Sequence, residues 1–354
     1  MYMRFSKYVA YVSSYTKRNK KGITIYDVDI EKGTFIYRNS LEISNSSYLT
    51  SSHNDQFLYS ITDMGVKSYE ITENGDLDEI NFASVNGMRG CYLSTDYTDR
   101  FLFVAGYHDG KITVLRVGED GAVGEITDEI YVQGMGEVSD RSYVPHVSCV
   151  KMSRDNKFLL ASDTGMDHVN VYKLNYETGK LKPVDIIRSD VNSGPRHMIF
   201  SVDNKYVYVL NEMQNSIVVF TYTALDSGYP EFEKIQTIQT VDDKYHASTS
   251  LSRALKFSED RNYIITSTAG DNSVEIFKRN EDDGLLSKIL CLPISGTYPK
   301  DAALFPDLKH LVSLNHESST MTFFNVDLEK GLLSMCAKEV KIDYPNCVIF
   351  HGIK

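Results

Sequence analysis

The chain reads as an all-β protein, a seven-bladed β-propeller, and three observations predict this: a repeated strand–turn–strand phrase, its period, and two chain ends that complement each other. The phrase is an apolar strand, a Ser-x-Asp turn, and a second apolar strand opened by an aromatic or equivalent residue. It is written as Ser153-Arg-Asp-Asn-Lys-Phe-Leu-Leu-Ala-Ser, Ser201-Val-Asp-Asn-Lys-Tyr-Val-Tyr-Val-Leu and Ser258-Glu-Asp-Arg-Asn-Tyr-Ile-Ile-Thr-Ser, with looser copies beginning near His53, Ser94 and Phe305. Aligned on the residue that opens the second strand, the copies give Phe57, Phe101, Phe158, Tyr206, Tyr263 and His310. Their spacing, roughly 44 to 57 residues, suits one four-stranded blade, and β-branched and aromatic residues dominate each copy.

Taken in order, Tyr8-Val9-Ala10-Tyr11-Val12 supplies the seventh copy, at the very start of the chain. The other copies are preceded by an inner strand, as in Arg196-His-Met-Ile-Phe-Ser or Arg253-Ala-Leu-Lys-Phe-Ser, and this first one is not. At the far end Asn346-Cys-Val-Ile-Phe has the pattern of an inner strand with nothing after it. The C-terminal strand is therefore expected to complete the first blade, covering edges that would otherwise template aggregation. The repeat runs from end to end without a linker, so residues 1–354 are expected to form a single domain.

Composition limits the partners. A formal charge of −11 and a pI near 5.3 argue against a nucleic-acid or anionic membrane surface, so an anionic ligand needs a local basic site. No apolar run reaches the length of a membrane span, and Met1-Tyr-Met-Arg-Phe-Ser-Lys leads into a strand rather than a signal-peptide core, which makes a cytoplasmic protein the expectation. Cys91, Cys149, Cys291, Cys336 and Cys347 show no C-x-x-C pair and no zinc spacing. They read as reduced, inert cysteines, and neither a metal nor a cofactor is expected. The basic run Lys17-Arg-Asn-Lys-Lys and the acidic run Glu281-Asp-Asp read as solvated loops between strands. A closed ring leaves no free sheet edges, which suggests a monomer or a dimer.

Inner strands of a propeller begin at one mouth of a central channel, and those positions carry His146, Arg196 with His197, Arg253 and Lys300. Asn211 and Glu212 end the next strand of the Arg196 blade, within reach of Arg196. A carboxylate, imidazoles and guanidinium groups suit the opening of a lactone, which needs a base to activate water and cations to hold an anionic substituent and the developing oxyanion. Blander readings stand beside this one. Arg196 and Glu212 could be a structural ion pair, and His146 could satisfy backbone carbonyls beside Pro145. Because strand residues alternate between faces, Arg196 and His197 are expected to point opposite ways, leaving His197 to packing.

The chain has no Trp, which removes the Trp-Asp signature of WD40 repeats. Gly194-Pro-Arg-His-Met-Ile-Phe-Ser-Val-Asp-Asn-Lys-Tyr-Val-Tyr-Val-Leu-Asn-Glu instead resembles the most diagnostic segment of the seven-bladed propeller lactonase family, which includes bacterial 6-phosphogluconolactonases and fungal carboxymuconate lactonizing enzymes. Further matches follow in order: Tyr11-Val-Ser-Ser-Tyr-Thr, Lys21-Gly-Ile-Thr-Ile-Tyr, Phe101-Leu-Phe-Val-Ala-Gly-Tyr, Pro145-His-Val-Ser and Pro345-Asn-Cys-Val-Ile-Phe. The resemblance covers essentially the whole chain.

The resemblance implies functional roles for His146, Arg196 and Glu212. It also exposes departures. Ser148 stands where a second imidazole is common and Ala254 where Glu is common. Thr268-Ala269 replaces an Asn-Arg pair, Pro299-Lys300 a Pro-Arg pair, and Asn315-His316 an Asn-Gln pair. The expected activity is metal-independent hydrolysis of an anionic sugar lactone, with 6-phosphogluconolactone as the leading substrate. Arg196, Lys300 and Arg253 would hold the anionic group or the oxyanion, with His197 and Asn211 beside them, and Glu212 or His146 would activate water. The alternatives are a carboxymuconate cycloisomerase reaction and a non-catalytic small-molecule-binding propeller.

Overall fold

The computed structural model describes residues 5–134, 144–242 and 249–353. Within them the chain forms seven antiparallel sheets in sequence order. Blade one comprises the strands of residues 7–42 and the C-terminal strand, and blades two to seven span 49–84, 92–131, 147–188, 195–239, 251–293 and 299–341. Each is a four-stranded meander, with a short extra strand, Val340–Lys341, in blade seven. This is the all-β, seven-bladed β-propeller read from the repeat. The second strands of blades two to seven open at Phe57, Phe101, Phe158, Tyr206, Tyr263 and His310, the residues on which the sequence copies align.

The Ser-x-Asp phrase makes the turn by side-chain chemistry. Ser153 Oγ accepts the Phe158 N–H at 3.0 Å and donates to Asp155 Oδ1 at 2.6 Å, while Asn156 takes the left-handed conformation that its short polar side chain tolerates. Ser201 and Ser258 repeat the arrangement with Tyr206 and Tyr263. The left-handed residue also ties neighbouring turns. Asp99 accepts from His53 N, Asn156 from Tyr97 N and Asn204 from Arg154 N, linking blades two to five one after another.

Residues group into two compact units. One contains blades one, six and seven together with the turn Glu73–Asp76; the other contains blades two to five as far as Thr237. In the second unit Phe101, Phe103, Phe158, Phe200 and Tyr172 fill the core. In the first, Phe35, Phe305 and Phe323 pack around one another.

The C-terminal strand completes blade one. Pro345–Ile353 runs antiparallel to Lys7–Ser14, with Lys7 opposite Ile353 and Ser13 opposite Cys347. Cys149 and Cys347 are buried in first strands, whereas Cys91 sits just ahead of one and is half-buried. Burial pushes the Cys149 and Cys291 thiols up to about 11, which disfavours the reactive thiolate. Among the described residues no helix is long and apolar enough to cross a membrane.

Candidate active site

Five blades carry one extra residue at the same register of their first strand. Pairing with the second strand slips between Val147 and Cys149, Pro195 and His197, Ser252 and Ala254, Pro299 and Asp301, and Pro345 and Cys347. The residues left over are Ser148, Arg196, Arg253, Lys300 and Asn346. A β-bulge re-aims the side chain of the unpaired residue, and three of these five are cations. The bulge also suspends the strict alternation expected between Arg196 and His197: Arg196 is the extra residue, while His197 is buried against Tyr92 (5.2 Å between ring centres) and Tyr48 (6.0 Å).

In the unit of blades two to five, Arg196 Nη1 donates to Glu212 Oε2 at 2.5 Å, with the two side chains 16% and 6% exposed. The guanidinium offsets the cost of burying that carboxylate and is itself oriented by it. Hydroxyl groups hold the Arg196 bulge in place: Ser162 Oγ donates to the Arg196 carbonyl at 2.7 Å and Thr164 Oγ1 to the Pro195 carbonyl at 3.0 Å. Asn211, buried at the end of its strand, donates Nδ2 to Ser216 Oγ at 3.2 Å.

His146 lies just ahead of its strand, half-buried and stacked on Tyr107 with 4.4 Å between ring centres and 9° between planes. Its backbone N–H donates to Asp163 Oδ1 at 2.8 Å, and Nδ1 lies 2.7 Å from the Tyr107 carbonyl. A carbonyl can only accept, so Nδ1 carries the proton and Nε2 of the neutral ring carries the lone pair. Among the described residues that lone pair has no partner. Asp163 Oδ1 also accepts from Gly165 and Met166, and burial raises the pKa of this carboxyl.

Lys300 and Arg253 belong to the other unit. Lys300 Nζ donates to Asn346 Oδ1 at 2.7 Å and sits 4.6 Å from the Tyr15 ring centre; the Arg253 guanidinium lies 4.9 Å from that of Tyr298. Beside them His316 places Nδ1 3.1 Å from the Pro345 carbonyl, and burial, reinforced by the charge of Lys300, lowers its pKa to about 4. His316 is therefore neutral at pH 7. The predicted site residues thus fall in two groups, Arg196, Glu212, Asn211, His197 and His146 in one unit and Lys300 and Arg253 in the other.

Sequence reasoning overlooked Tyr107, Tyr15 and His316 as site residues. A signal existed: each directly follows the second strand of its blade, the position Glu212 occupies in blade five. Ala269 occupies the same register in blade six, where the second strand runs one residue further. Among the described residues no group of three or more His, Cys, Asp or Glu side chains is placed to hold a metal ion.

Seven consecutive blades, three of them with a cation on a first-strand bulge, make up a propeller, and comparison with known proteins gives its family. Residues 9–350 match the family described as Lactonase, 7-bladed beta-propeller, and the chain belongs to that family. It is 29% identical over 351 residues to a 6-phosphogluconolactonase of Bacillus subtilis, covering 98% of this chain and 99% of that protein. A crystal structure from Bacteroides fragilis, provisionally assigned as a 6-phosphogluconolactonase, is 29% identical, covers 98% of both chains and superposes with a TM-score of 0.86. A periplasmic gluconolactonase of Pseudomonas aeruginosa, 24% identical and covering 99% of this chain and 100% of its own, shares the fold with a TM-score of 0.90.

Proposed function

We propose that the protein is a lactonase-type hydrolase of an anionic sugar lactone, with 6-phosphogluconolactone as the leading substrate. The observation that carries this reading is the fixed tautomer of His146: the Tyr107 carbonyl holds its Nδ1–H, so Nε2 is the ring atom that can accept a proton. In this mechanism Nε2 removes a proton from water as the water oxygen bonds to the lactone carbonyl carbon. The resulting oxyanion is stabilised by Arg196, whose guanidinium Glu212 orients. When the tetrahedral intermediate collapses, the ring C–O bond breaks and the His146 proton passes to the departing oxygen. The product is the open sugar acid. The relatives named as 6-phosphogluconolactonases support the substrate class.

The test is a rate measurement. Purified protein offered 6-phosphogluconolactone should open the ring well above the rapid spontaneous rate, and a carboxymuconate should be left unchanged. No acceleration with this lactone or with glucono-lactone would sink the reading.

A further inference from the structure

Blade four enters its first strand differently from other blades, and the difference falls on His146. In three blades the residue ahead of the first strand has its N–H held by the preceding blade, through the side chain of the residue just ahead of that blade's third strand. Gly194 N donates to Asp167 Oδ1 at 2.8 Å, Tyr298 N to Asn272 Oδ1 at 2.8 Å and, more loosely, Tyr344 N to Ser319 Oγ at 3.5 Å. All three residues so held are left-handed, with φ of +64°, +60° and +37°. His146 occupies the same position in blade four, but the corresponding residue of blade three is Gly110, at φ +60°, which has no side chain to offer. A side chain there would be crowded: a Cβ on Gly110 would stand 3.0 Å from both the Cβ and the carbonyl oxygen of Pro145.

Asp163 supplies the missing bond from within blade four. It is fully buried, and its Oδ1 accepts His146 N at 2.8 Å together with Gly165 N at 3.0 Å and Met166 N at 3.1 Å. Thr164 N returns a bond to the His146 carbonyl at 3.0 Å. One oxygen therefore clamps the His146 backbone to the loop that follows the second strand. Three N–H donors on one atom call for a charged acceptor and offset the cost of burying it. Oδ2 has no partner among the described residues, so the bonds to Oδ1 set the orientation of the carboxyl group. The same register holds Asn211 in blade five, Thr268 in blade six, Asn315 in blade seven and Ser14 in blade one, all uncharged. Among these five blades the carboxylate is thus particular to the one that carries the stacked imidazole. Held in this way His146 does not take a positive φ, and its ring lies on Tyr107 with Nδ1 at the Tyr107 carbonyl.

We propose that Asp163 is the positioning residue of His146: its carboxylate fixes the backbone at the entrance of blade four and through it keeps the ring against Tyr107, with the proton on Nδ1 and the lone pair on Nε2. Asp163 is fully buried and acts only through His146. The inference rests on the proposed function for the task of Nε2, whereas the placement of the ring can be tested without turnover.

The full chain is labelled with nitrogen-15 and its imidazole signals are followed by NMR with the rings deprotonated, the His146 signals being those missing from His146→Gln. The natural protein should show His146 as a single tautomer with the proton on Nδ1. Asp163→Asn keeps an acceptor of the same shape but removes its charge, so the clamp should loosen and His146 should redistribute between its two tautomers. In the same variant kcat for the lactone should fall about 10- to 100-fold, the scale of a lost charge-assisted hydrogen bond, with KM nearly unchanged. Asp163→Ser, which carries the residue of blade one at this register, replaces the Asn variant if melting shows that the latter does not fold. Mixed tautomers in the natural protein, an unchanged tautomer in the variant, or an unchanged kcat in a protein that opens lactones would each overturn the role, whatever happens to the melting temperature. A natural protein that opens no lactone would instead reject the hydrolase reading, and the tautomer would still decide whether Asp163 places the ring.

Discussion

The ammonium of Lys256 and the carboxylate of Asp301 form an ion pair that also reaches the C-terminal strand: Lys256 Nζ donates to the Val348 carbonyl at 2.7 Å, and the Val348 N–H donates to Asp301 Oδ2 at 2.8 Å. Lys256 lies on the first strand of blade six, Asp301 on that of blade seven and Val348 on the strand that completes blade one. One charge pair therefore ties three first strands together, and Asp301 is only 3% exposed.

Replacing Lys256 with Met leaves the Asp301 carboxylate buried without its cation, which should cost about 3–5 kcal/mol. Adding Asp301→Asn should recover part of that loss, because the orphaned charge is gone. Urea unfolding of the two variants checks this; an unchanged midpoint for Lys256→Met would show that the pair does not hold the strands together.

Deleting residues 346–354 should be more damaging still. It removes buried Cys347 and Val348, the strand paired along Lys7–Ser14, and both backbone bonds to Lys256 and Asp301. Each large buried side chain accounts for about 1.5–3 kcal/mol, so the truncated protein should be insoluble or melt far below the full chain. Unaltered melting would show that blade one does not need its C-terminal strand.

At the candidate active site, His146→Gln removes the base while keeping a polar group of similar reach. Turnover should fall by about 10²- to 10⁴-fold with little change in melting temperature. Arg196→Lys preserves charge but not the planar fork, and should lower kcat/KM more than tenfold. Glu212→Gln should act through the orientation of Arg196, lowering turnover less than His146→Gln and lowering the melting temperature as well. Parallel kinetics and melts on the three variants decide, and intact turnover in the first two would refute the assignment.

Glu275 provides a pH test away from the site. It is fully buried and accepts from Thr266 at 2.5 Å, Thr268 at 3.2 Å and Ser273 at 2.5 Å, and burial raises its pKa above the ordinary 4.5. A folded-state carboxyl with a raised pKa binds its proton more tightly than the unfolded chain does. Stability is therefore highest below the unfolded value and declines as pH rises from about 4.5 through the raised one. Glu275→Gln abolishes that contribution, so the variant should lose less stability than the natural protein between pH 4.5 and pH 8. Equal pH dependence in thermal melts would show that Glu275 does not change its protonation in this range.

The blade architecture was legible because it is written in local chemistry. Ser-x-Asp turns and the aromatic residues after them recur at short range, and Asn346-Cys-Val-Ile-Phe carries the pattern of an inner strand that the first copy lacks. The site was legible only as a set of polar residues at strand entrances. The bulges escaped notice because a slip in pairing belongs to two strands at once and leaves no mark in either sequence. The His146 tautomer depends on a carbonyl from Tyr107, and the rings around His316 come from two different blade positions, Tyr15 after a second strand and Tyr298 and Tyr344 ahead of first strands, so no single repeat position shows them together. His197 illustrates the limit: alternation foretold its packing role, but the placement of Arg196 rests on the bulge.

The same bulge in five blades has an evolutionary consequence. Side chains that pair across a blade must satisfy two packed faces, so their replacement is constrained by every neighbour. An extra residue outside the pairing is released from the cross-strand part of that constraint. Serine, arginine, lysine and asparagine occupy equivalent positions in different blades of this one chain. Ser148 and Asn346 are themselves buried and hydrogen-bonded, so single replacements that leave the sheets as they are fall to the three cationic positions, Arg196, Arg253 and Lys300.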